Sequence, residues 1–95
     1  MNNILAIDFG ERFLGLALRT TKTSIPIPLK VIDVKKEALN KTIKNIIFEY
    51  EINQLVVGYP IGLNNSENRM TNLVNEFIED INKFNIPIFK IDERL

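Results

Sequence analysis

The sequence predicts an α/β fold: a mixed sheet of five strands in the order 3-2-1-4-5, with two helices on one face. Three observations lead there. Five short apolar runs are bounded by Gly, Pro and polar turn formers, as strands are. Two longer stretches repeat apolar residues at helical spacing. The first three strand-like runs come as a group and the rest alternate with helices, which gives hairpins followed by βαβ units.

The first strand is Ile4–Phe9, and Gly10-Glu-Arg-Phe13 reads as the turn that returns Leu14–Leu18 antiparallel beside it. Polar Thr20–Ser24 is a loop. Ile25–Pro28 is extended because each proline disfavours helix at itself and at its predecessor, and Leu29–Ile32 supplies a third strand. Asp33 is placed to cap a helix running to about Glu51, with Leu39, Ile43, Ile46, Ile47 and Tyr50 on one face. Leu55–Val57 reads as a buried strand without alternation, as in a parallel sheet covered on both sides. After the turn-rich Gly58–Asn65, Ser66 opens a second helix with a stripe of Met70, Leu73, Val74, Phe77, Ile78, Ile81 and Phe84. Asn85 suits a left-handed C-terminal position, and Pro87–Asp92 is the last strand. Right-handed crossovers moving one way put both helices on one face and leave the other bare.

Ninety-five residues make one domain, 1–95, with a modest core. No apolar run reaches membrane-spanning length and Met-Asn-Asn is not the basic start of a signal peptide, so the expectation is a cytoplasmic protein with no membrane partner. The chain has no Cys and no His, which removes thiolate nucleophiles, Cys-ligated zinc and imidazole bases. Any catalysis must then run on carboxylates, hydroxyls, Lys, Arg or Tyr, and carboxylates suit Mg²⁺ or Mn²⁺. With 12 basic against 12 acidic residues, binding to nucleic acid has to be local or metal-assisted.

Two acidic strand ends stand out: Asp8 after Ile4–Ile7, and Asp92-Glu93 after Ile86–Ile91. An ionised carboxylate at the end of a buried run needs compensation, and a hydrated divalent cation is one way to supply it. Asp8 shares a face with Ile4 and Ala6, opposite Ile7 and Phe9. Its structural alternative is to accept backbone N–H bonds in the turn at Gly10. If the last strand lies two positions from the first, their ends are about 10 Å apart, within reach of an Asp and a Glu through two ions about 3.5–4 Å apart. Asp92-Glu93-Arg94 as a solvated strand end is the alternative there. Gly10, Gly58 and Pro60 either shape a substrate crevice or simply turn the chain. Arg12, Arg69 and Arg94 fall at loops or element ends, as candidate phosphate contacts. Lys35, Lys36, Lys41 and Lys44 read as a solvated face, and the aromatic residues as core, with no exposed stacking platform.

Three segments, Ala6-Ile-Asp-Phe-Gly-Glu-Arg-Phe-Leu-Gly-Leu-Ala17, Val56-Val-Gly-Tyr-Pro60 and Ile91-Asp-Glu-Arg-Leu95, resemble in order and spacing the motifs of the RuvX/YqgF family. These are RNase H-like nucleases described as Holliday junction resolvases and pre-16S rRNA nucleases. The resemblance implies an RNase H-like fold and hydrolysis of phosphodiesters. Asp8 and Glu93 would be catalytic metal ligands, with Asp92 in support and Mg²⁺ or Mn²⁺ as cofactor. It implies processing of the 5′ end of pre-16S rRNA in ribosome biogenesis, ahead of action on branched DNA. The chain departs from the family in having Phe13 where a second basic residue is usual, and in Gly62 and Asn65 after Pro60. The family also continues past Asp-Glu-Arg-Leu with a helix and a further catalytic aspartate. The expectation is therefore a domain lacking its C-terminal helical segment, whose bare sheet face invites a homodimer.

Two rival functions share features with this sequence. An actin-like or sugar-kinase-like ATPase also opens with Asp-x-Gly, but Glu11 would set a negative charge against phosphate and the chain is too short for two lobes. A truncated, non-catalytic RNA- or partner-binding module is the stronger alternative, and metal dependence separates it from a nuclease.

Overall fold

The computed structural model describes residues 2–23, 25–60 and 66–93, with 60, 66–68, 92 and 93 described at the level of the backbone. The elements are β1 (Ile4–Asp8), β2 (Phe13–Arg19), β3 (Ile27–Asp33), α1 (Leu39–Glu49), β4 (Gln54–Pro60), α2 (Ser66–Asn82) and β5 (Ile88–Glu93). The sheet order is β3-β2-β1-β4-β5, as the sequence predicts. β1 pairs antiparallel with β2 and parallel with β4, so it is the seam between the meander and the crossover half. β3 lies on the edge, where Pro28 costs no interior ladder bond, and the β2–β3 register shifts between Leu16 and Ala17, beside it.

Both helices cover the same face. Leu5, Ile7, Leu14, Leu16, Leu55 and Val57 from the strands form one buried cluster with Ile43 of α1 and Val74, Phe77 and Ile81 of α2. The two predicted stripes are thus the packing faces, and Phe9 and Phe77 meet with ring centroids 5.2 Å apart. The alternate strand positions, Ala6, Asp8, Gly15, Ala17, Val56 and Gly58, point to the opposite face, and no helix among the described residues covers it. Val31, Phe89 and Ile91 are accordingly 62%, 50% and 49% exposed.

Two expectations are corrected. β4 does alternate, because Leu55 and Val57 are buried while Val56 is only half-buried towards the open face. The strand is covered on one side, and its unbroken apolar sequence does not report that. Asp33 does not cap α1. It ends β3, and its backbone carbonyl accepts the Lys36 and Glu37 N–H groups at 2.9 and 3.0 Å, closing a turn that delays the helix to Leu39. Asn85 has φ 59°, the left-handed conformation predicted for it. No described helix is long and apolar enough to cross a membrane.

Candidate functional site

Strand alternation builds the site. Within β1, Leu5 and Ile7 turn into the core, which leaves Asp8 exposed on the open face. The desolvation cost implied by an apolar run therefore does not fall on Asp8, since that run is buried on one side only. Register then sets Val31, Gly15, Asp8, Gly58 and Ile91 side by side across all five strands. Glycine on both sides leaves the Asp8 carboxylate without lateral side-chain neighbours. A Cβ at Gly15 would lie 3.6 Å from the Asp8 Cβ, in ordinary contact, so glycine here widens the approach without being sterically required. The result is a shallow trough of about 420 Å³ lined by Asp8, Ala17, Val31, Val56 and Ile91 among others. The Phe9 N–H donates to the Gly58 carbonyl at 2.7 Å and fixes the end of β1 against β4.

β5 pairs Gly58 with Ile91, Tyr59 with Asp92 and Pro60 with Glu93. Position 93, two past Ile91, falls on the Asp8 side of the sheet; position 92 falls in the row of Tyr59, on the alternate side. From ordinary strand spacing and rise, the Cα atoms of residues 8 and 93 are about 12 Å apart. The register thus brings positions 8 and 93 to one face and does not bring 92 with them. Among the described residues no group of three or more acids is close enough to hold an ion. Mg²⁺ keeps several waters and takes only one or two protein carboxylates when substrate phosphate completes its shell. Two carboxylate positions on one open face, with glycine between them in the Asp8 row, fit that demand.

Of the predicted basic contacts, Arg12 and Arg69 are engaged by acids. Arg12 donates from Nε and Nη2 to the two Asp33 carboxylate oxygens at 3.4 and 3.3 Å, and its guanidinium lies over the Phe13 ring, 5.0 Å from the centroid. Arg69 of α2 pairs with Glu11. The Arg12 hydrogen bond, with help from the Lys35 N–H, holds the Asp33 carboxyl below its ordinary value, while desolvation pushes it up. At Gly10 a Cβ would come 2.5 Å from the Phe13 carbonyl oxygen, so this glycine is demanded by the turn itself. Pro60 lies at the end of β4, and Arg94 and positions 61–65 lie outside the described residues. Sequence reasoning missed Phe13, which is 51% exposed, and the role of Asp33. The signal for Phe13 was available: Leu14 and Leu16 point inward, so alternation sends Phe13 to the Asp8 face.

A family model described as "RuvX: Holliday junction resolvase" matches residues 2–95. The chain belongs to the RuvX family. Relatives of this RuvX chain include the "Putative pre-16S rRNA nuclease" of Rickettsia canadensis (strain McKiel), 38% identical over 94 residues. The protein of the same name from Rickettsia africae (strain ESF-5) is 36% identical over 94 residues. Each match covers 97% of the RuvX chain and 61% of the relative, so the chain spans about three-fifths of the length of these curated relatives. Among solved structures, T. thermophilus RuvC in complex with Holliday junction substrate superposes with a TM-score of 0.70 at 12% identity, covering 97% of this chain and 65% of that one. Archaeoglobus fulgidus Pelota gives a TM-score of 0.55 at 10% identity, over 96% and 26%. At these identities the likeness establishes the fold, which is RNase H-like, as the motifs of the RuvX chain imply.

Proposed function

We propose that the chain, as one domain, forms a metal-dependent nuclease site that hydrolyses a phosphodiester bond at the 5′ end of pre-16S rRNA, with Asp8 and Glu93 as catalytic carboxylates. The observation that carries this reading is the glycine-flanked Asp8 on an open sheet face, with position 93 on the same side. The names of the relatives supply the substrate class. In the reaction a water oxygen bonds to phosphorus, the bond to the departing oxygen breaks, and that oxygen leaves with a proton. Mg²⁺ or Mn²⁺ bound here would supply Lewis acidity towards the phosphoryl oxygens and the attacking water. The chain's own part is placement. Asp8 and Glu93 would hold the cation; Asp92, expected in support, stands in the row of Tyr59 on the alternate side. Gly15 and Gly58 keep side chains away from the Asp8 carboxylate. Arg12 and Arg69 would offset phosphate charge only on release from Asp33 and Glu11, with Arg94 as a third candidate. Of the candidate substrate positions Gly10, Gly58 and Pro60, it is Gly58 that lines the trough. Ribosome biogenesis would place this work in the cytoplasm.

The test is Mn²⁺-dependent cleavage of a 5′-extended 16S rRNA precursor and of a four-way DNA junction by wild type and Asp8→Asn. The precursor is expected to be cut, and Asp8→Asn to be slower by about 10²-fold or more, as for loss of a central electrostatic group. Preference for the junction would move the substrate to branched DNA. Absence of cleavage by folded wild type would leave a binding module. Pairing of two copies across the open face, suggested by exposed Val31, Phe89 and Ile91, would cover the Asp8 trough that Val31 and Ile91 line and so competes with this reading; light scattering that reports a dimer at working concentration would favour it.

A further inference from the structure

We infer that Phe13 and Arg12 form a stacking platform for an unpaired nucleobase at the rim of the Asp8 trough, so that the site takes single-stranded nucleic acid. This rests on the nuclease reading above. Phe13 is 51% exposed and lies two residues along β2 from Gly15, the lateral neighbour of Asp8, on the same face. Two residues of strand separate its row from that of Asp8 by about 7 Å, roughly one nucleotide's reach along a backbone. The guanidinium of Arg12 lies over the ring, 5.0 Å from the centroid, so a base meets a cation and an aromatic ring in one stack. That surface is held in place. Asp33 grips Arg12 through two oxygens, and one of them, Oδ1, also accepts the Lys35 N–H at 3.0 Å, while the Arg12 carbonyl accepts the Val34 N–H at 2.9 Å. The other exposed apolar residues on this face, Val31, Phe89 and Ile91, have no cation stacked on them among the described contacts.

Charge argues for the same ligand. The chain has 12 basic and 12 acidic residues, and Arg12 and Arg69 are each paired with an acid. Diffuse phosphate attraction, which dominates duplex binding, is therefore weak here. Stacking on aromatic and guanidinium planes needs no net charge, but it needs a base that has left its own stack. A duplex does not offer one; a single-stranded segment does.

The test uses the 95-residue chain, Phe13→Leu and Phe13→Trp, titrated against a fluorescently labelled single-stranded RNA and its duplex in metal-free buffer, read by anisotropy. Wild type should favour the single strand, and Phe13→Leu should lose about tenfold in affinity for it, the scale of one base–aromatic stack, with duplex binding unchanged. The chain contains no Trp, so Phe13→Trp is a unique reporter: it should keep affinity, and unlabelled single strand should quench its emission. Phe13→Leu binding the single strand as wild type does, or Trp emission unmoved at saturation, overturns the platform while leaving the Asp8 cleavage assay to stand. Wild type that binds neither RNA without metal overturns the platform, and the Mn²⁺-dependent cleavage assay then decides the nuclease reading by itself.

Discussion

Asp33 joins an arginine and a turn through one carboxylate. Its hydrogen bonds from Arg12 and from the Lys35 N–H hold its carboxyl below the ordinary 3.8, against a desolvation that works the other way. A carboxyl depressed in the folded state stabilises fully above its unfolded value, and that contribution disappears as pH falls through the lower folded value. Asp33→Asn should therefore be less stable than wild type at pH 7 in urea unfolding, with the gap closing as pH falls below about 4. A gap that does not change between pH 7 and pH 3 would show that the carboxylate's charge plays no part. The sequence placed an acid at this position and gave it a helix cap, because Asp before a periodic apolar stretch is the usual cap signature. What the sequence does not display is that Arg12, 21 residues away, competes for the same oxygens. Asp8 was legible for the opposite reason, since alternation along five residues is enough to assign its face.

α1 ends in a way that suggests a stabilising change. Tyr50 is the C-cap, and Glu51 follows in the left-handed region at φ 51°. The Ile52 N–H donates to the Ile47 carbonyl at 3.0 Å and the Glu51 N–H to the Phe48 carbonyl at 3.4 Å, which is the Schellman pattern with Glu where glycine is usual. Relief of the Cβ strain at this position should outweigh the added freedom of the unfolded chain. Glu51→Gly is expected to raise stability by about 0.5–1 kcal/mol, or several degrees in melting temperature for a domain of this size. A lowered melting temperature would mean that Glu51 makes a contact of greater worth. The same helix end is clasped from a distance. The buried Asn3 donates from Nδ2 to the Tyr50 and Glu51 carbonyls at 3.0 and 3.3 Å, and its backbone N–H donates to Asn53 Oδ1 at 3.0 Å. Helix stripes such as Val74, Phe77 and Ile81 were readable because period carries them. The Asn3 clasp was not, because it joins residues about fifty apart and leaves no periodic trace.

Across the whole molecule, strand order, helix placement and the bare face followed from element sequence and crossover handedness, while the one-sided burial of β4 did not. Leu55-Val-Val57 reads the same whether one or both faces are covered, and only the packed structure shows Val56 on the bare side. The same blindness hid Phe13 and Phe89, which composition counts as core. The seam position of β1 has a consequence in time. Its pairing with β2 closes over a short turn, whereas its pairing with β4 must bring together residues 50 apart, Ile4 with Gln54 through Asp8 with Gly58. Local pairings incur the smaller loop-closure cost and form sooner. Amides of the β1–β2 hairpin should thus gain protection before those of β4 and β5 in pulsed hydrogen exchange, and simultaneous protection would contradict this order. Asp8 is then set in its hairpin while its partners across the sheet are still unplaced. The trough becomes a late product of folding, completed only when the second crossover docks.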